Sequence, residues 1–237
     1  MKRSAHVLNL GLVPYREAWD LQRAIAVEVA DGARPDTILL LEHPPTVTTG
    51  RRTEASELHI PEDAEVDVVE TDRGGKSTFH GPGQLVCYPV FDLTRHGQDV
   101  KRYCRDLEEA LLQTLAAFRL GAQRIEGLTG VWLTPPPRKI ASIGIHISKW
   151  VTTHGYALNV DLDPAPFTQW ITACGLEDAA FTTIARELGR PVSVEEVKPL
   201  ALEALAEVFE LELEDVPADG TPGLLPPPVS GGLAARS

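Results

Sequence analysis

Apolar positions Tyr15, Ala18, Trp19, Ile25, Ala26, Val29 and Ala30 recur at the spacing of one helix face, and Gly32 and Pro35 end the pattern. Short apolar runs follow. Residues 37–42 read as a buried strand stopped by His43-Pro44-Pro45, and residues 65–71 as a valine-rich strand. Residues 73–84 read as a glycine-rich loop leading into the apolar run 85–91. Between residues 99 and 120, Val100, Tyr103, Cys104, Leu107, Leu111, Leu115 and Phe118 share one helical face, with Gly121 as the closing residue. Strand-like stretches at 130–134, 140–148 and 151–160 are divided by Pro135-Pro136-Pro137 and by Lys149-Trp150. A short helix is expected at 166–173, ending at Cys174-Gly175. Ser193 and Glu196 have the spacing of a capping box for a helix to about Phe209. The pattern predicts an α+β fold, a largely antiparallel or mixed sheet with flanking helices, as one domain over residues 1–216. From Pro217 onward there is no periodicity and the stretch holds five prolines and four glycines, so 217–237 are expected to be a disordered tail.

Composition narrows the function. A chain of 237 residues with 43% hydrophobic side chains can bury an apolar core without disulfides or a structural metal. A net charge of −12 argues against duplex nucleic acid as a partner. No charge-poor apolar run approaches the ~20 residues that span a bilayer. Lys2 and Arg3 precede a stretch carrying His6, Asn9 and Pro14, with no small-residue cleavage site after it, so a cytoplasmic protein is expected. The charge is uneven: residues 151–237 carry 4 basic and 14 acidic side chains, while 51–150 carry 13 and 14. Cys87, Cys104 and Cys174 are an odd number without a C-x-x-C pair, which speaks against a disulfide framework or a cysteine zinc site.

Three segments carry candidate chemistry. In Arg73-Gly74-Gly75-Lys76-Ser77-Thr78-Phe79-His80, glycines let backbone N–H groups approach a carboxyl, thioester or phosphate oxygen, but the order matches neither a Walker A loop nor a dinucleotide fingerprint. From composition alone a long surface hairpin explains the segment equally well. Along 140–145, Ile140, Ser142 and Gly144 alternate with Ala141, Ile143 and Ile145, and a glycine inside a strand marks close approach of a backbone or ligand. Lys139 opens that strand and would be a solvated lysine in most proteins. Cys174 lies at a helix-to-loop junction before Gly175; Cys104 on its apolar stripe and Cys87 in its apolar run read as core.

Together, R-G-G-x-x-T-F-H-G-P-G-Q-L-V-x-Y-P, R-K-I-A-S-I-G-I, H-G-x-A-L-N-V and A-C-G-L, in this order and spacing over about residues 35–190, resemble the lipoyl(octanoyl) transferase family of the biotin/lipoate ligase superfamily. The resemblance implies a ligase-like α+β catalytic domain and an acyltransferase needing neither metal nor other cofactor. It implies octanoyl-acyl carrier protein as donor. The acceptors would be lysines on lipoyl domains of 2-oxoacid dehydrogenase complexes and on the glycine cleavage H protein, with no nucleic acid or membrane partner. By the same resemblance Cys174 would be the acyl-thioester nucleophile and Lys139 the lysine that lowers its pKa. Arg73, Gly74, Gly75, Lys76, Ser77, Thr78, Phe79 and His80 would form the substrate loop. Ser142, Ile143 and Gly144, with Gly155, Tyr156 and Ala157, would line the same pocket. The chain departs from the family in Ala173, where proline is frequent, and in Phe79, where tyrosine is. Two other readings share the residues: an ATP-dependent lipoate or biotin ligase, and a non-catalytic module binding carrier domains. Arg51, Arg52, Arg73, Lys76, Arg138 and Lys149 would give a local basic rim for acidic protein substrates.

Overall fold

A strand buried on both faces needs no polar alternation, and two segments of this chain have that character. β2 (Asp36–Glu42) and β6 (Gln84–Val90) are almost wholly buried and antiparallel to each other, with Leu39 opposite Tyr88. They form the middle of a mixed sheet in the computed structural model, which describes residues 2–172 and 180–217. On one side of β2 lie β1 (Arg3–Leu12) and β12 (Leu211–Asp215), both parallel additions; on the other side of β6 come β10 (Val151–Asn159), β9 (Arg138–Ser148), β8 (Leu128–Leu133) and β7 (Gln123–Ile125), all antiparallel. β11 (Ala180–Phe181) adds in parallel to the start of β9. A small sheet of β4 (Asp67–Glu70), β3 (Thr46–Thr49) and β5 (Thr78–His80) stands beside it.

α1 (Tyr15–Ala30) lays Ala18, Leu21, Ile25 and Val29 on one face of the main sheet, against Leu39, Leu41, Val86 and Ala157. α2 (Val100–Ala117) and α5 (Val194–Val208) cover the other face, where Leu107, Leu111, Val197 and Leu205 pack on Ile38, Leu40, Leu85 and Leu158. A third cluster joins the small sheet to α3 (Pro166–Gln169) and β11 through Val47, Phe79, Phe167, Ile171 and Phe181. α4 (Ile184–Leu188) leads into α5. The α+β architecture with a mixed sheet and flanking helices agrees with the periodicity.

Local corrections have physical causes. The stretch at 65–71 contracts to β4, and the glycine-rich loop contains the extended Thr78–His80, because β3 offers a ladder that local sequence does not reveal. β1, β3, β7 and β12 escape the pattern for the same reason. Helix α2 closes at Arg119, which takes the left-handed conformation (φ 59°), rather than at Gly121. On α2, Val100 is exposed and Cys104 only half-buried, so the core stripe begins at Tyr103. Ser193 accepts the Glu196 N–H at 3.2 Å, but the Glu196 carboxylate turns to Arg190 at 2.8 Å and leaves the expected box half closed. The helix expected at 166–173 is α3, four residues long; its expected end at Cys174-Gly175 and the tail from residue 218 lie outside the described residues.

Candidate active site

Strand β9 is paired unequally along its length. Arg138–Ala141 sits between β8 on one edge and β11 and β10 on the other. Beyond Ala141, β8 departs, and the described backbone contact on that edge is the Gly74 N–H donating to Ile145 O at 2.9 Å. A cavity of about 340 Å³ opens there, within the range of small-molecule sites. Lys139, Ser142, Ile143, Gly144, Gly155, Tyr156 and Ala157 all line it. The ladder sets them in register: Ser142 faces Ala157, Ile143 faces Tyr156 and Gly144 faces Gly155. Close approach requires glycine at 155 and leaves little room at 144. A Cβ on Gly144 would stand 3.1 Å from Arg73 Cδ, and one on Gly155 only 2.2 Å from the Cys87 carbonyl oxygen.

The glycine-rich loop forms the facing wall, through Arg73, Gly74, Gly75, Lys76, Ser77, Thr78 and His80. Its shape is held by the Arg73 guanidinium, buried and donating to Thr48 O (2.8 Å), Thr48 Oγ1 (2.8 Å), Lys76 O (2.7 Å) and Gly74 O (3.2 Å). The loop's arginine is therefore a brace as well as a wall. Arg51 and Arg52 N–H groups clasp Arg73 O and Gly75 O, both at 3.2 Å. Phe79 does not line the cavity. β5 alternates, so Thr78 and His80 face inward while Phe79 turns to Phe167 and Trp170, with ring centroids 5.8 and 5.7 Å away.

Lys139 is 4% exposed, far from the solvated lysine its position alone suggests. Its ammonium lies 5.1 Å from the centroid of the Trp132 ring, an attraction of order 0.5–2 kcal/mol, and its carbonyl accepts the Thr182 N–H at 3.0 Å. Next to it, Arg138 clamps Glu187 through two 2.9 Å hydrogen bonds, and that guanidinium holds the Glu187 carboxyl below its usual range. Cys174 lies outside the described residues. The chain approaches it at Thr172 and resumes at β11, where Phe181 pairs with Lys139. Of the other thiols, Cys87 is fully buried and pushed up to about 12 by burial, which leaves it inert. Cys104 is half-buried on the cavity wall rather than in the core.

Around His80, already expected in the substrate loop, stands a group of residues that the motifs do not assign to the site. Tyr15, Tyr88, His80 and His154 line the cavity and join a buried polar cluster with His43, reached from the surface by the partly exposed Asp72. His43 Nδ1 donates to Val13 O (2.7 Å) and its Nε2 takes the Tyr88 hydroxyl (2.7 Å); His154 bonds Tyr15 (3.2 Å) and Asp72 (2.8 Å). Burial keeps these imidazoles neutral: His43 falls to about 4, and His80 and His154 also drop. His154 stood inside the quoted H-G-x-A-L-N-V motif, and His43 beside two prolines; their spacing gave no hint that they meet. The expected basic rim shrinks, since Arg73 and Arg138 are braced internally and Lys76 is paired with Glu57. Among the described residues, no three His, Cys, Asp or Glu side chains converge to hold a metal ion, and no helix is long and apolar enough to cross a membrane.

A family model described as the lipoyl protein ligase A/B catalytic domain matches residues 14–206. The chain belongs to this family. An octanoyltransferase of Mycobacterium tuberculosis is 49% identical over 224 residues, 92% of this chain and 94% of that one. One from Chloroflexus aurantiacus is 45% identical over 216 residues, 89% and 96% of the two chains. Within the family, this chain is accordingly an acyltransferase. Its fold is that of lipoate ligases: a bipartite lipoate protein ligase from Thermoplasma acidophilum superposes with a TM-score of 0.73 at 16% identity, covering 92% of this chain and 88% of that one. A lipoate-protein ligase A bound with ATP gives 0.72 at 17% identity, over 92% and 89%.

Proposed function

We propose that the chain transfers an octanoyl or lipoyl group from acyl carrier protein to a specific lysine of lipoyl domains, through an acyl thioester on Cys174, opening endogenous protein lipoylation. The observation that carries this reading is the buried Lys139 on the cavity wall, in ladder contact with the strand that begins six residues after Cys174. The octanoyltransferase relatives support the acyl group and the lipoylation context. Acceptors would be the lipoyl domains of 2-oxoacid dehydrogenase complexes and the glycine cleavage H protein. We place the reaction in the cytoplasm, whose reducing poise keeps a catalytic thiol free.

A free cysteine is only ~3% thiolate at neutral pH, and lowering its pKa by two units takes about 2.7 kcal/mol of differential interaction. A desolvated ammonium at Lys139 would supply it. The Cys174 thiolate attacks the donor thioester and expels the carrier's thiolate, which takes a proton. The acceptor amine, having lost its proton, then attacks the acyl-enzyme. An amide forms, the C–S bond breaks and Cys174 returns as thiolate. The proton shed by the amide nitrogen goes to Lys139, restoring the ammonium that had protonated the carrier's thiolate. Backbone N–H groups of Gly75 to His80 are the candidate donors to the oxyanion. Thioester energy drives the amide bond, so ATP plays no part.

The test supplies octanoyl-carrier protein and an apo lipoyl domain without ATP. Transfer that Cys174→Ala abolishes is expected. Transfer requiring ATP and free octanoate would favour a ligase, and binding without transfer a non-catalytic module.

A further inference from the structure

The chain entering the cysteine-bearing segment is tied to one short turn elsewhere in the sequence. His59 N donates to Trp170 O at 2.7 Å, Leu58 and Ile171 form an antiparallel bridge, and Thr172 N donates to Glu57 O at 2.9 Å. The backbone of 57–59 thus carries the last three described residues before the segment with Cys174. The Glu57 side chain faces the other way, toward the glycine-rich loop. Its Oε1 takes the Lys76 ammonium and its Oε2 accepts the Glu54 N–H at 3.1 Å, closing a capping box on the single turn Ala55–Glu57. The pair is sheltered, with side-chain exposures of 12% for Glu57 and 29% for Lys76. Burial alone would raise the Glu57 carboxyl, yet Lys76 and the Glu54 N–H hold it below its usual range. Lys76 itself lines the cavity.

One residue therefore holds the cysteine arm by its carbonyl and the substrate loop by its carboxylate. We propose that Glu57 is a positioning residue, fixing the distance between the acyl-holding loop and the arm that carries Cys174. The inference rests on the thioester reading above. A carboxylate is suited to the role because its two oxygens satisfy the turn and the loop at once, while an exposed pair would contribute little. Misplacing a nucleophile by about 1 Å costs up to about a hundredfold in rate. Neither Glu57 nor Lys76 is asked to move a proton, so breaking either should hit the rate at which the thioester forms.

Glu57→Gln, Lys76→Met, Lys76→Arg and the double variant Glu57→Gln/Lys76→Met, all in the full chain, test this. Acyl-enzyme formation from a small octanoyl thioester is followed by mass spectrometry, with kcat and KM measured separately. Expected are losses of about tenfold to a hundredfold in kcat for each broken pair, a smaller change in KM, and recovery of most activity in Lys76→Arg. The double variant should be no slower than the worse single one. Lys76→Met leaves the capping box intact, so a loss shared by both single variants is not the collapse of the turn. Additive losses, or kcat within twofold of the parent in both, would overturn the inference. A parent protein that forms no acyl-enzyme would sink the thioester reading instead.

Discussion

The two halves of β9 obey different rules. From Arg138 to Ala141 the strand is paired on both edges, its lysine is buried against Trp132, and its arginine is locked to Glu187. From Ser142 to Ser148 the ladder to β10 continues, but the opposite edge opens, and small residues face small residues across the strands at Ser142/Ala157 and Gly144/Gly155. The first half builds a rigid charged corner; the second leaves room. The proposed role of Lys139 needs the former, because an ammonium that is to bias a thiol must be held still and away from water. The proposed acyl substrate needs the latter.

Disturbing the rigid half should produce the larger effect. Lys139→Ala is expected to lower transfer by roughly 10²–10⁴-fold and to slow alkylation of Cys174 by iodoacetamide at neutral pH. Lys139→Arg should keep part of the alkylation rate while transfer stays impaired, since a guanidinium carries charge but does not relay a proton. Unchanged alkylation profiles in both would separate the corner from the thiol. Disturbing the open half should act on binding. Ser142→Leu puts a branched side chain into the cavity and should raise KM for an octanoyl thioester about tenfold or more, with a lesser effect on kcat. If instead kcat falls and KM holds, the acyl group lies elsewhere.

How much of this was readable beforehand follows from what each half depends on. The buried runs of β2 and β6 are legible because apolar side chains fill them. Helix α1 is legible because Tyr15, Ala18, Ile25 and Val29 are both periodic and buried, although Gln22 is buried too and Ala30 is exposed. The strands at 140–148 and 151–160 are legible as extended segments, but β10 also buries Thr152, Thr153, His154 and Asn159, which no apolar pattern marks. Short elements such as β3, β5 and β11 are not legible, since a two- to four-residue strand is defined by its partner. The cavity residues were legible through motif order, and all the described ones except Phe79 came together. Phe79 was misplaced because a loop was read where a strand alternates. The pairing of Glu57 with Lys76, and the imidazole cluster around Tyr15, join residues whose separation in sequence hides them.

The remaining expected effect belongs to that cluster and concerns stability rather than rate. His43 titrates near 4 in the folded chain against 6.5 ordinarily, because burial disfavours its charged form. Between those values the unfolded chain binds a proton that the folded chain does not, so stability is whole above pH 6.5 and lost as pH falls toward 4. The loss approaches about 3 kcal/mol for this one residue. Denaturation midpoints measured from pH 7 to 4 should fall, and His43→Gln should flatten the slope; a parallel slope in the variant would assign the effect to other groups.

The central claim is the thioester on Cys174, and peptide mapping of the trapped intermediate tests it most directly. Full-length protein mixed with octanoyl-carrier protein, quenched in acid before any acceptor is added, should carry one octanoyl group. That group should be released by hydroxylamine and map to the peptide containing Cys174. An acyl group found on Cys104, which also lines the cavity, or a fully active protein with no acylated peptide at all, would contradict the account.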